Sequence, residues 1–221
     1  MEVVKGFTLM KLGSISSVLC VVVTSVFFCS CGTKEKSLRE LPNKKTGDHK
    51  VVFVNVSGAI PGAILDKSVD EIQTTLRVNS SIINMQSIDP RDLVLDWARV
   101  SKKYGFDACL VIFVINDLSG MGFLNKPGMW SVISVRQLRT DNPSEELYGK
   151  RVYRMLMKGL GLAAGVGGNP DPHCVMYYKS FSLQGIDYTS ATFGPFALSP
   201  IQDTLRMIGG DEIFLQDANR N

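Results

Sequence analysis

Arg151–Met176 reads RVYRMLMKGLGLAAGVGGNPDPHCVM, and the order of its parts decides the fold. Its first half continues a helical period: Pro143 opens a helix whose stripe runs through Tyr148, Val152 and Leu156 to about Leu162. Its second half breaks that period. Residues 163–173 form a loop dominated by Gly165, Gly167, Gly168, Pro170 and Pro172, and Cys174-Val175-Met176 follows. Gly159 and Gly161 inside the helix each cost on the order of 1 kcal/mol relative to alanine. A helix tolerates that where close packing needs bare backbone, or where selection on the site has relaxed.

Upstream, strands and helices alternate. Lys50–Val56 and Ser81–Met85 are strand-like, and Ala108–Ile115 is a continuous apolar run expected at a sheet centre covered on both faces. Ser131–Leu138 is a further expected strand. Ser68-x-x-Glu71 has the form of a capping box, with Val69, Ile72 and Leu76 on the helical face behind it. Asp89 as N-cap and Pro90 in the first turn open a helix with the stripe Leu93, Trp97, Val100 and Tyr104, stopped by Gly105. Between these, Asn116–Gly128 is expected to be a loop with Met121, Phe123 and Leu124 packed over the sheet. Ser199-Pro200 is expected to cap a last helix through Ile201, Leu205 and Ile208, closed by Gly209-Gly210. The fold class is α/β or α+β, a mixed sheet flanked by helices.

Composition narrows the function. Of 221 residues 45% are hydrophobic and 20% charged, with a net charge of +3, so wholesale disorder is excluded and a nucleic-acid surface has no electrostatic footprint. The two histidines are His49 and His173, so one chain cannot build a three-His metal site. Cys20, Cys29 and Cys31 lie in or beside an N-terminal segment, leaving Cys109 and Cys174 for at most one disulfide; Cys109 reads as a small buried hydrophobe. That segment holds Lys5 and Lys11, then an uncharged apolar run from Leu12 to Ser30, the pattern of a secretory signal. Phe28-Cys29-Ser30-Cys31-Gly32 resembles a bacterial lipobox with Cys31 as the lipidated residue, although Phe28 is bulkier than the usual aliphatic. An uncleaved transmembrane anchor is the alternative. The expected organisation is a signal peptide over 1–30, a polar tether over 31–49 and a folded domain over 50–221.

Lys158–Ala197 is similar to the zinc region of archaemetzincins, metzincin-type peptidases with the pattern HExxHxxGxxHCxxxxCxM, seventeen residues, then CxxC. In that pattern two His one helical turn apart and a third beyond a glycine turn hold a catalytic zinc, and the Glu acts as general base on its water. The four Cys hold a second zinc. Here the spacing closes while the ligands are gone. Lys158, Gly159 and Leu162 stand for His, Glu and His, Gly165 keeps the turn, and Gly168 stands for the third His. Asn169 replaces the first Cys, Cys174 and Met176 match the CxM, and Gly194 and Ala197 fall on the last CxxC. Arg151, Val152 and the Pro170-Asp171-Pro172 run also sit as in the family.

The resemblance implies a metzincin-like domain with an active-site-type helix, a Met-turn at Met176 and a C-terminal helix, but neither zinc nor another cofactor. Leu162 is expected to fill the metal position with hydrocarbon. Lys158 is expected to be a solvated helix-end lysine, the alternative being an ammonium near the vacated cation site. His173, Asp171 and Cys174 are chemically suitable ligands, but adjacent residues of extended chain seldom converge on one ion. The expected function is a catalytically inactive, membrane-tethered lipoprotein of the bacterial cell envelope. It would meet the membrane through its N-terminal lipid and bind a protein or peptide partner, and no nucleic acid. A hydrolase with relocated catalytic groups and a small-ligand module in the old substrate cleft are the alternatives.

Overall fold

Two runs, Val51–Val56 (β1) and Leu110–Ile115 (β3), are buried along their whole length and lie side by side in the sheet. The computed structural model describes residues 51–116, 123–179 and 182–209. Ser80–Met85 (β2), β1, β3 and Trp130–Ser134 (β5) are parallel, and Phe123–Lys126 (β4) closes the edge antiparallel to β5, giving the order β2-β1-β3-β5-β4. Parallel strands need crossovers, and these cover both faces.

Strand alternation sorts the side chains into two cores. Val51, Phe53, Leu110, Ile112, Val114 and Ile133 face a layer made by helices α1 (Gly62–Leu76), α4 (Glu145–Ala163) and α6 (Pro195–Gly209). Val52, Val54, Val111, Phe113 and Val132 face helices α2 (Pro90–Leu95) and α3 (Trp97–Tyr104). There Trp97 lies 6.2 Å from Phe106 and 6.2 Å from Trp130, ring centre to ring centre, and Phe106 meets Phe113 edge-on at 6.0 Å. Asn55, the polar residue in β1, is satisfied: Nδ2 donates to Ile60 O at 2.9 Å and Oδ1 accepts from Ile60 N at 3.0 Å. It thereby ties the strand to the turn before α1.

Several boundaries differ from the sequence expectation. Helix α1 starts after Pro61, and Ser68 is interior, its hydroxyl donating to Ile64 O at 2.8 Å, so the capping-box pattern marks no helix start. The stripe Leu93–Tyr104 is interrupted by Asp96, which ends α2 and caps α3 through Arg99 N at 3.2 Å. Arg136–Arg139 is a 3-10 turn rather than strand, and the cap of α4 is Ser144, accepting from Leu147 N at 3.2 Å, not Pro143. Phe123–Lys126 is strand β4 rather than loop, and Leu124 is exposed rather than packed over the sheet; Met121 lies outside the described residues. A short helix α5 (Leu183–Tyr188) is new, and α6 begins at Pro195, leaving Pro200 inside it. The signal, the tether and Cys31 also lie outside the described residues. Among the described residues no helix is long and apolar enough to cross a membrane.

Candidate functional site

The site positions follow from how α4 ends. Val166 N donates to Gly161 O at 2.8 Å and Gly165 N to Leu162 O at 3.0 Å, a closure that needs the left-handed backbone of Gly165, φ +87°. The edge hairpin grips the same end: Gly128 N donates to Ala163 O at 2.7 Å and Asn125 Nδ2 to Leu162 O at 3.2 Å. The chain then turns back so that Asn169 runs beside the segment after Cys174. Asn169 N donates to Met176 O at 2.8 Å, and Tyr178 N to Asn169 O at 3.0 Å. Gly168 is exposed, and a Cβ there would lie 3.1 Å from Tyr178 Cβ.

Lys158 is 4% exposed, and its Nζ donates to Tyr177 O at 3.2 Å. The expectation of a solvated lysine is therefore overturned: the long side chain runs inward because its helix face is closed by the 176–178 segment. Burial pushes its pKa down from 10.5 to about 8, and the Cys174 thiol opposes that shift. Leu162, one turn on, is half-buried against the α1/α4/α6 core.

Gly159 faces the sheet. A Cβ there would stand 2.9 Å from Ile112 Cγ2 and 3.1 Å from Ile133 Cγ2, while its carbonyl accepts from Ser131 Oγ at 2.7 Å. Gly161 faces Met176: a Cβ would be 2.5 Å from its Sδ. Both helix glycines thus answer to close packing, and Met176 is buried beneath the helix.

The second group of positions also converges. Cys174 is fully buried, its Sγ accepts from Gly194 N at 3.3 Å, and a Cβ on Gly194 would lie 3.4 Å from Cys174 Cβ. Val175 N donates to Thr192 O at 2.7 Å, and Ala197 N to Gly194 O at 2.9 Å. Asn169 Oδ1 accepts from Asp171 N and Asp171 Oδ1 from His173 N, both at 2.8 Å. These turns leave His173 exposed while Cys174 is buried. Cys109 and Cys174 are both buried and not joined in a disulfide.

A catalytic zinc of the metzincin kind does not fit this donor set. An ammonium, a hydrocarbon and a glycine offer no three lone pairs at positions 158, 162 and 168. At the second site one thiol remains, engaged by Gly194 N. Among the described residues no group of three or more His, Cys, Asp and Glu is placed to hold a metal ion.

Two features escaped the sequence reading. Arg151, 2% exposed, is held by Asp141 (Nη1–Oδ1 2.6 Å, Nη2–Oδ2 2.7 Å), by Asp187 (Nε–Oδ1 2.8 Å, Nη2–Oδ2 2.6 Å) and by Leu138 O at 3.0 Å. The two aspartates raise the Arg151 pKa above its ordinary value, and Arg151 holds the Asp141 carboxyl below the usual carboxylate range. The arginine in an otherwise apolar helix face was the available signal. A cleft of about 650 Å3 between α1 and α4 is the second feature.

No family model matches the chain. It is 42% identical over 67 residues to the archaemetzincin of Methanopyrus kandleri, a match covering 30% of this chain and 37% of that relative. The fold is similar to the crystal structure of the same archaemetzincin, with TM-score 0.53 and 24% identity over 72% of this chain and 97% of that one. It is also similar to a zinc-dependent peptidase of Methanocorpusculum labreanum, TM-score 0.53 at 14% identity, covering 68% of this chain and 99% of that one. An archaemetzincin of Archaeoglobus fulgidus complexed with malonate matches with TM-score 0.52 at 15% identity over 68% and 99%.

Proposed function

Since this chain is a homologue of archaemetzincin and has its fold, we propose that it is a catalytically inactive archaemetzincin-like lipoprotein, tethered to a bacterial envelope membrane through Cys31. It acts by binding a protein or peptide partner or as an envelope component. Lys158 supports the inactivity: it is a buried ammonium bonded to Tyr177 O, at the position that the archaemetzincin resemblance matches to the first zinc-binding histidine. A cation there opposes metal binding, and Gly159, packed against Ile112 and Ile133, supplies no general base. Ser30-Cys31 after the apolar run supports the tether. With an N-acyl and a diacyl group on one residue, anchoring would be far firmer than with a single chain.

Mass spectrometry of the membrane-extracted protein tests the tether. The expected product begins at a lipidated Cys31, and Cys31→Ala leaves an unprocessed precursor. An unmodified Cys31 within an intact N-terminal segment would instead make that segment the anchor. Peptide-library hydrolysis by the same preparation, with and without added zinc, tests the inactivity. The expected result is no chelator-sensitive cleavage.

A further inference from the structure

On the side away from β4 the sheet ends in β2, and the middle of that edge is open. Val51 N donates to Asn79 O and Ser57 N to Met85 O, so the odd-numbered residues of β2 turn their backbone groups toward β1. Those of Ser80, Ile82 and Asn84 point away from the sheet. Side chains close both ends of this edge: Gln73 Nε2 donates to Ser80 O at 3.0 Å, and Ser57 Oγ donates to Gln86 O. Between them, the N–H and C=O groups of Ile82 and Asn84 meet no partner among the described residues. The strand reads SSIINM, with no lysine, proline or glycine to discourage a further strand, whereas the opposite edge, β4, ends in Lys126 followed by Pro127.

Helix α1 gives this edge a charge. Asp66, Asp70 and Gln73 recur at helical spacing, and the bond from Gln73 to Ser80 O fixes their flank as the one beside β2. The helix runs back along the strand, so one and two turns from Gln73, roughly 5 and 11 Å, bring Asp70 and Asp66 level with Ile82 and Asn84. Both carboxylates are exposed and hold no cation among the described residues. Lys67 lies on the α4 flank and acts on Glu146, while Arg77 lies beyond Gln73 at the closed end. We propose that β2 receives an extended peptide segment as a further strand, held by the backbone of Ile82 and Asn84, with lysine or arginine side chains turned toward Asp66 and Asp70. Its alternate, apolar side chains lie on the other face beside the half-buried Ile83 and Met85. A second copy of this chain is disfavoured as the occupant, since it would bring two more aspartates to the same edge. The inference rests on the partner-binding reading above and names the partner's chemistry.

The test is fluorescence anisotropy with the full chain in non-ionic detergent. The probe is a labelled, capped decapeptide of alternating valine and lysine; its comparisons are the valine–glutamate decapeptide and the valine–lysine sequence N-methylated throughout. The lysine peptide is expected to bind saturably at one site per chain, with both comparisons weaker by about tenfold or more. The chain's net charge of +3 gives no general attraction for a cationic peptide, so such binding is local. Ile82→Pro removes an outward N–H that no ladder bond uses and should abolish binding. Asp66→Asn with Asp70→Asn, both exposed, should remove the preference for lysine over glutamate, and this pair decides the matter if Ile82→Pro does not fold. Glu145→Gln, on α4, should bind like the parent. Saturable binding that ignores both the proline and the aspartate variants would overturn the β2 edge while leaving peptide binding itself in place. No saturable binding, or equal binding of the three peptides, would overturn the proposal as well.

Discussion

Helix α4 carries two buried cations two turns apart, and they are treated in opposite ways. Arg151 meets two carboxylates and a carbonyl with four nitrogen–oxygen contacts to the aspartates of 2.6–2.8 Å. Lys158 is nearly as buried but is held by the carbonyl of Tyr177, and its burial depresses its basicity. The first half of the helix is therefore a neutralised joint between the 3-10 turn after β5, the helix and α5. The difference teaches that a buried cation keeps its basicity where carboxylates from neighbouring elements reach it, and loses part of it where desolvation outweighs its partners.

The largest effect expected from this contrast is at the joint. Replacing both Asp141 and Asp187 by alanine leaves the Arg151 guanidinium buried and uncompensated, a loss of about 3–5 kcal/mol in urea unfolding. Arg151→Met should cost less, because Asp141 and Asp187 are 45% and 33% exposed and regain water. Since Arg151 depresses the Asp141 pKa, that carboxylate contributes stability above its usual range and loses it as pH falls; the double variant should lack this acid limb.

Lys158→Met should go the other way. With a folded pKa of about 8 against 10.5 unfolded, the unfolded chain binds more protons between those values, so native stability rises with pH across that window. The variant lacks this rise. Its advantage over the parent should therefore be largest at neutral pH and shrink by about 3 kcal/mol by pH 10.5. Burial also raises the pKa values of Tyr148, Tyr153 and Cys109, so the difference between the two curves is the quantity to read. A flat difference would remove the contrast between the two cations.

The smallest effects separate the two glycines. Gly159→Ala gains about 1 kcal/mol of helix propensity but presses on Ile112 and Ile133, stiff branched side chains, and should be net destabilising by about 1 kcal/mol. Gly161→Ala presses on Met176 Sδ and Phe193, and the flexible thioether can move, so its thermal midpoint should stay near the parent's.

Long apolar runs made the sheet legible: β1 and β3 were placed from residue type because strands buried on both faces have no polar alternation to misread. The four-residue β4 was not, since its pairing with β5 and not its own composition makes it a strand. Asp96 and Ser68 show the limit of local capping rules. Each has the chemistry of a cap, but only Asp96 is placed where the backbone donors are unpaired. At the site, the archaemetzincin resemblance implies that positions 174 and 194 share one cluster, and here they touch. The burial of Lys158 is not legible in its local sequence, because it comes from the 176–178 segment folding over it. The Arg151 partners, ten and thirty-six residues away, could not be read from sequence pattern at all.

Zinc content of the full chain, purified without chelator and measured by elemental analysis alongside a zinc titration, tests the central claim most directly. If the proposed correspondence holds, with Lys158, Leu162 and Gly168 in place of the zinc ligands and Cys174 alone at the second site, far less than one zinc per chain and no chelator-dependent loss of thermal stability are expected. A structural zinc would contribute on the order of 10 kcal/mol to folding and could not be missed. About one tightly held zinc per chain, with a midpoint that falls on chelation, would contradict the account.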